Sequence, residues 1–208
     1  MLPVVKDFVK KFDLKDFVVV TDSGLMTKDN IAELEQNGYK YIVGARIKNE
    51  NKAVTKWILS QNKQDGSFYE YLYCVRLRSA KHERSTRYQK SEQCKLILGY
   101  CEQRAKKDAY NREKGIKRLE KEYKNGTVTK DKINKRGYNN FLELLVLCTK
   151  YAVSDNVEVK INYTQIKEDE KWDGLKGYIT NTDLSANNVY EQYLIPFFTD
   201  FPLYMTKI

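Results

Sequence analysis

Apolar and polar positions alternate between two periods along the first fifty residues, and the switching predicts a layered α/β unit. Leu2–Phe12 carries apolar residues at helical spacing. Phe17–Thr21 is a strand whose β-branched run Val18, Val19, Val20 suits burial on both faces. Thr27–Asn37 is a helix, with Thr27 as N-cap, Asp29 in the first turn, Ile31 and Leu34 on the apolar stripe, and Asn37-Gly38 as its stop. Tyr41–Ile47 is the next strand.

Beyond Lys48 the pattern changes. Phe68–Leu77 alternates and is aromatic, so it predicts a strand, entered through the turn Gln64-Asp65-Gly66, and Lys95–Tyr100 predicts another. Cys101–Lys124 is a long helical pattern with few large apolar residues. It ends at Asn125-Gly126, and Thr129 is expected to cap a short basic helix through Arg136, completing a helical hairpin. Phe141–Cys148 is an apolar run that periodicity does not assign. Val157–Tyr163 alternates as a half-exposed strand, Asp173-Gly174 is a turn, Gly177–Thr182 is a strand returning to the first layer, and Ser185 caps a helix through Tyr193. No internal repeat or low-complexity tract is present.

Composition narrows the class. With 41% hydrophobic and 12% aromatic residues the chain has the material for a core, and its 208 residues suit one domain or one domain with a large insertion. No apolar run approaches the ~20 residues of a membrane span, and the opening segment lacks the apolar centre of a signal peptide, so no membrane association and a cytoplasmic location are expected. Cys74, Cys94, Cys101 and Cys148 show no C-x-x-C spacing, and His82 is the single histidine, so reduced buried thiols and no structural zinc are expected.

A net charge of +9 admits a polyanionic partner, since lysine and arginine gain by releasing counterions from phosphates. The long helix can be read in two ways. Pairs such as Glu113 with Lys117 and Glu120 with Lys124 are four apart and fit a solvated helix. Arg104, Lys106, Lys107, Arg112 and Lys114 fit a helix facing phosphates.

The residue of greatest chemical interest is Asp22, in VVVTDSGLMTKDN. It follows a buried strand, where open α/β sheets gather functional groups, and Gly24 lets the chain swing clear. Spacing alone leaves two roles open: a carboxylate for a divalent cation, or an Asx-type turn or cap for the next helix.

Three separated stretches carry a resemblance. Thr21 to Lys48, TDSGLMTKDNIAELEQNGYKYIVGARIK, is similar to the region around the second catalytic aspartate of bacterial insertion-sequence DDE transposases, of the insertion sequence 4 superfamily and its insertion sequence 1634 family. Gln103 to Glu113, QRAKKDAYNRE, resembles that family's basic helix. Trp172 to Leu184, WDGLKGYITNTDL, resembles the segment leading into its last catalytic helix. The resemblance implies an incomplete ribonuclease-H-like core. Residues 1–48 and 172–193 would form the core, 49–171 a mainly β insertion with the helical hairpin, and 194–208 an aberrant tail. It also implies a family reaction, metal-dependent DNA cleavage and strand transfer, in which two aspartates and a glutamate hold two Mg²⁺ or Mn²⁺ ions. By motif, Asp22 is the second carboxylate and a metal ligand, with DNA contacts expected from Arg46 and from the basic helix residues named above.

The chain departs from the family at both ends. The first aspartate has no counterpart, because Asp7, Asp13 and Asp16 fall on the opening helix or its exit. The family's closing signature is a tyrosine, an arginine three further on, a glutamate four beyond and a lysine seven beyond that. Counted from Tyr193, these slots hold Pro196, Asp200 and Lys207, with Asp200 a shorter stand-in for the glutamate. Pro196 and Pro202 should break the helix, at a cost of about 3 kcal/mol or more for an interior proline, and a frameshifted or decayed apolar tail is expected. These departures predict a transposase fragment that is inactive alone. The alternative is a basic nucleic-acid-binding module without chemistry. Missing first strands would leave an open sheet edge and favour self-association.

Overall fold

The computed structural model describes residues 2–13, 15–25, 27–73, 76–78, 88–90, 94–129, 132–134, 137–149, 152–194 and 203–207. The chain divides into two compact units, residues 1–100 with 175–208, and residues 101–174. The boundaries thus fall at Tyr100 and Leu175, and 49–100, expected in the insertion, joins the first unit instead.

The first unit is mixed α/β. Its helices are α1 (Leu2–Phe12), α2 (Lys28–Gln36) and α3 (Lys52–Ser60). Strands β1 (Phe17–Thr21), β2 (Lys40–Ala45) and β3 (Phe68–Tyr73) belong to its main sheet, while β4 (Arg76–Arg78) and β5 (Tyr88–Lys90) form a separate antiparallel pair. Strand β6 (Cys94–Tyr100) closes the first pass. Thr27 caps α2, its Oγ1 accepting the Asn30 N–H at 3.1 Å, and Asn51 caps α3 by accepting the N–H groups of Ala53 and Val54. At the other end of α2, Gly38 takes φ +68°, and the Tyr39 N–H reaches back to the Leu34 carbonyl at 3.0 Å, closing the helix as Asn37-Gly38 predicts.

After the second unit the chain re-enters the sheet as β9 (Leu175–Thr180), continues into α6 (Ala186–Leu194), and β10 (Leu203–Lys207) is the last strand. The six strands stand in the order β10-β1-β2-β9-β6-β3. Only β1 and β2 are parallel; every other neighbouring pair is antiparallel. Parallel strands need a crossover, which α2 supplies, and both therefore point their carboxyl ends at one edge. Val18, Val20, Ile42, Ile97, Tyr178, Val189 and Tyr193 form the core that α6 covers. Val19, Tyr41 and Val43 alternate onto the opposite face and are equally buried, with α2 against β2 there.

Two expectations for the tail change. Helix α6 ends at Leu194, and Pro196, Asp200 and Pro202 lie outside the described residues. The tail is not simply a loose apolar segment, because Leu203–Lys207 pairs antiparallel along the whole of β1, from Phe17↔Lys207 to Thr21↔Leu203. Lys207 is therefore on a strand instead of a helix, and the edge of β1 expected to be open is covered.

The second unit packs α4 (Glu102–Lys124), the antiparallel pair β7 (Leu142–Thr149) and β8 (Ala152–Ile161), and α5 (Tyr163–Glu170). Leu119, Phe141, Leu142, Val159 and Ile166 make its small core. Its two ends meet where the Cys101 N–H donates to the Gly174 carbonyl at 3.1 Å. Of the basic helix expected from Thr129 to Arg136 as the partner of α4, Ile133 and Asn134 lie outside any helix, and residues 130, 131, 135 and 136 are outside the described set. The apolar stretch after it supplies β7 and a β-hairpin, because Phe141 and Leu142 bury against Leu119. Cys94 is buried as expected, Cys101 is half-buried, and Cys74 lies outside the described residues.

Candidate functional site

Asp22 leaves β1 at the carboxyl edge of the parallel pair, where the backbone turns through a short 3-10 segment, Ser23–Leu25, and the side chain stays exposed. Its Oδ1 accepts two hydrogen bonds. One comes from the Ser23 N–H at 2.6 Å, a local turn contact; the other comes from the Tyr193 hydroxyl at 3.1 Å, contributed by α6. Thr27, not Asp22, caps α2, so of the roles open to this aspartate from spacing the cap is removed and the turn contact stands.

Tyr193 is held as firmly as a strand residue. Its ring is 1% exposed, meets Tyr178 edge-on at 4.6 Å between centroids, and carries the Lys176 ammonium at 4.4 Å. Gly44, on β2, makes the approach possible. A Cβ there would come within 2.7 Å of the Tyr193 hydroxyl and 2.9 Å of the Ser23 nitrogen. A lone glycine inside the apolar run Tyr41–Ala45 is the sequence signal for such a close approach.

Arg46 follows β2 at the same edge. Its Nε donates to the Ser23 carbonyl at 3.1 Å and its Nη2 to the Gly24 carbonyl at 3.4 Å, which ties the guanidinium to the loop bearing Asp22 while leaving the residue exposed. Asp22, Arg46, Tyr193 and Lys176 are thus brought to one place by β1, β2, α6 and β9.

The remaining candidates lie on α4 in the second unit. Lys106 pairs with Glu102 at 2.9 Å and Arg104 with Asp108 at 3.7 Å, both on the surface, and Lys107 and Lys114 are exposed. Glu113 and Lys117 pair at 2.6 Å as their spacing predicts, whereas Glu120 accepts from the Tyr163 hydroxyl at 3.0 Å. Arg112 does not belong with the phosphate-facing candidates. It is 8% exposed, and its two terminal nitrogens donate to Asp173 at 2.5 and 2.6 Å, with Asp169 and Glu170 nearby. The hydrogen bonds to Asp173 raise its pKa above the ordinary arginine value, so the charge is spent inside the fold.

A second polar cluster on the first unit was not foreseen. The buried Tyr41 hydroxyl donates to Glu35 at 2.8 Å and lies 3.1 Å from the Cys94 sulfur, and the Cys94 thiol in turn is 3.1 Å from the same Glu35 oxygen. Burial, reinforced by Cys94 and Glu35, pushes the phenol far above the usual tyrosine range.

The residues described do not fit a two-ion centre. Among them no group of three or more histidine, cysteine or acidic side chains is arranged to hold a metal ion, and Asp22 brings a single carboxylate with one oxygen already accepting two donors. Asp200 lies outside the described residues. Among the described residues, no helix is long and apolar enough to cross a membrane. No family model matches the chain, and no curated protein or solved structure is significantly similar to it.

Proposed function

We propose that the first unit is part of a ribonuclease-H-like core of the DDE transposase type, that its partner is DNA, and that Asp22 is the second catalytic carboxylate of that family. The observation that carries the reading is the Tyr193–Asp22 hydrogen bond. Two residues picked independently by motif, one as the catalytic aspartate and one as the anchor of the closing signature, are in contact across 171 positions of sequence. The placement of Asp22 at the carboxyl end of a parallel pair is a second support, because that is where such sheets present reactive groups. Family chemistry is cleavage and transfer of a phosphodiester with Mg²⁺ or Mn²⁺, and it depends on several carboxylates acting together. With one carboxylate supplied by the residues described, this chain alone binds DNA without cutting it.

The second reading, a basic binding module with no catalytic ancestry, draws on the +9 charge and the exposed cations of α4. Incubating the full chain with supercoiled plasmid in Mg²⁺ or Mn²⁺, alongside a salt titration of binding, separates the possibilities. Binding that weakens with salt and leaves the plasmid intact is expected. Nicking abolished by Asp22→Asn would keep the family reading and overturn the inactivity. Absence of DNA binding at any salt concentration would remove both readings.

A further inference from the structure

Helix α1 leaves part of its apolar surface in water. Val5 is fully buried on the side where α1 meets α2, while Val4, Phe8 and Phe12 are 58%, 46% and 52% exposed. These three are spaced four apart, so at about 3.6 residues per turn they form one continuous stripe along the outer side of the helix. The Phe8 and Phe12 rings, 4.5 Å apart between centroids, make its centre. Asp7 and Lys11 border the stripe on one side, also four apart and opposite in sign, and the Lys11 ammonium lies 5.6 Å from the Phe12 ring centroid. Lys6 and Lys10 are about 160° round the helix and point away from it.

We infer that this stripe is an interface for a second copy of the chain, the two α1 helices pairing antiparallel about a two-fold axis level with Val9. A two-fold axis brings the same patch against itself with its direction reversed. Placed at Val9, it sets Asp7 opposite Lys11 of the second copy and Lys11 opposite Asp7 of the second copy. At 1.5 Å of rise per residue, the same axis spaces the apolar side chains at intervals of about 3 Å. They then alternate between the helices, Val4 followed by Phe12 of the second copy, Phe8 followed by Phe8 of the second copy, and Phe12 followed by Val4 of the second copy. Moved one residue to Phe8, the axis would set Phe8 against Phe8 and Val4 against Phe12 head-on. Charge pairing and interdigitation thus select one register. Three half-exposed side chains per copy fall well short of the about 800 Å² per partner of a standard interface, so the dimer is weak and concentration-dependent. The pairing uses neither Asp22 nor DNA.

Sedimentation velocity of the full chain without DNA, over a series of protein concentrations, tests this. The wild type should shift from monomer towards dimer as concentration rises. Phe8→Asp should stay monomeric throughout with an unchanged melting curve, because its side chain is half in water already. Asp7→Lys or Lys11→Asp alone sets like charges opposite each other twice and should raise the dissociation constant about tenfold. The double variant Asp7→Lys with Lys11→Asp restores both opposite-charge pairs and should return the constant to near the wild-type value, a rescue that loss of folding cannot imitate. A wild type that stays monomeric at every concentration refutes the interface. A dimer that survives Phe8→Asp, or that the double reversal fails to restore, is built on another surface and refutes it too. Flotation with vesicles of mixed zwitterionic and anionic lipid is the last arm: a monomeric wild type that floats while Phe8→Asp does not would assign the stripe to a membrane surface and overturn the self-pairing.

Discussion

The Tyr193 hydroxyl reaches the Asp22 carboxylate only because Gly44 has no side chain. An added methyl at Gly44 would meet the hydroxyl at 2.7 Å and the Ser23 backbone nitrogen at 2.9 Å, and the second of these cannot rotate away. Gly44→Ala should therefore destabilise the chain by about 1–3 kcal/mol, as overpacking does. Tyr193→Phe, which removes one partly exposed hydrogen bond, should cost about 1 kcal/mol. Because both changes open the same contact, the double variant should cost less than the two singles together, which urea unfolding of all four proteins measures. Strict additivity would mean that the glycine and the tyrosine are not coupled.

Arg112 and Asp173 form a bidentate contact in the second unit, largely shielded from water. Removing the guanidinium leaves Asp173 facing Asp169 and Glu170 without compensation. Arg112→Ala should cost about 3 kcal/mol, the low end for breaking a buried pair, since Asp173 keeps some solvent contact. Lys117→Ala, which breaks the exposed pair with Glu113, should leave the unfolding midpoint where it is. Far-UV circular dichroism of the whole chain, followed through urea denaturation, reports both.

Tyr41 gives the first unit an alkaline limit. Its folded pKa is raised by burial above the ordinary value, so the folded state binds its proton more tightly than the unfolded chain does. Below about pH 10 the phenol is neutral in both states and its contribution is complete; as pH rises further, unfolded chains ionise first and stability falls by up to about 1.4 kcal/mol per pH unit. Tyr41→Phe should be less stable at neutral pH, having lost the hydrogen bond to Glu35, and its deficit should shrink between about pH 9 and 11. Urea midpoints of the two proteins across that range check the sign, and a deficit that grows with pH would contradict it.

Local signals in the sequence were legible where a cap and a period agree. Phe17–Thr21 and the helix from Thr27 to Asn37 appear where their patterns place them, Thr27 and Asn37 serving as the caps. Helix α3 went unforeseen although Asn51, Val54 and Ile58 carry both a cap and helical spacing. Pairing partners were harder. That Leu203–Lys207 joins β1 is set by the unfilled edge of a strand more than 180 positions away, and no window of sequence contains that information. The hidden role of Arg112 fails for the same reason: its spacing on α4 matches its exposed neighbours, and only the approach of Asp173, 61 positions on, decides that it is buried. For the site, Asp22 and Arg46 were readable in one stretch and Tyr193 in another. Their assembly, and the presence of Lys176 on the Tyr193 ring, depend on the β2–β9 register.

Strand β10 has a role that can be tested without touching the site. All five residues of β1 pair with it, and Val18, Val19 and Val20 are each at most 1% exposed. Ending the chain before Leu203 strips the outer hydrogen bonds from β1 and leaves an apolar strand as a sheet edge, the arrangement that recruits strands from other molecules. The truncated protein should elute from a sizing column as dimers and larger species, increasingly so with concentration, while the full chain shows less association under the same conditions. Its β1 amides should also lose hydrogen-exchange protection at low concentration, where association is suppressed. A truncated chain that stays monomeric, with β1 protected as before, would show that β10 is dispensable and that β1 is secured by β2 and the two faces of the core.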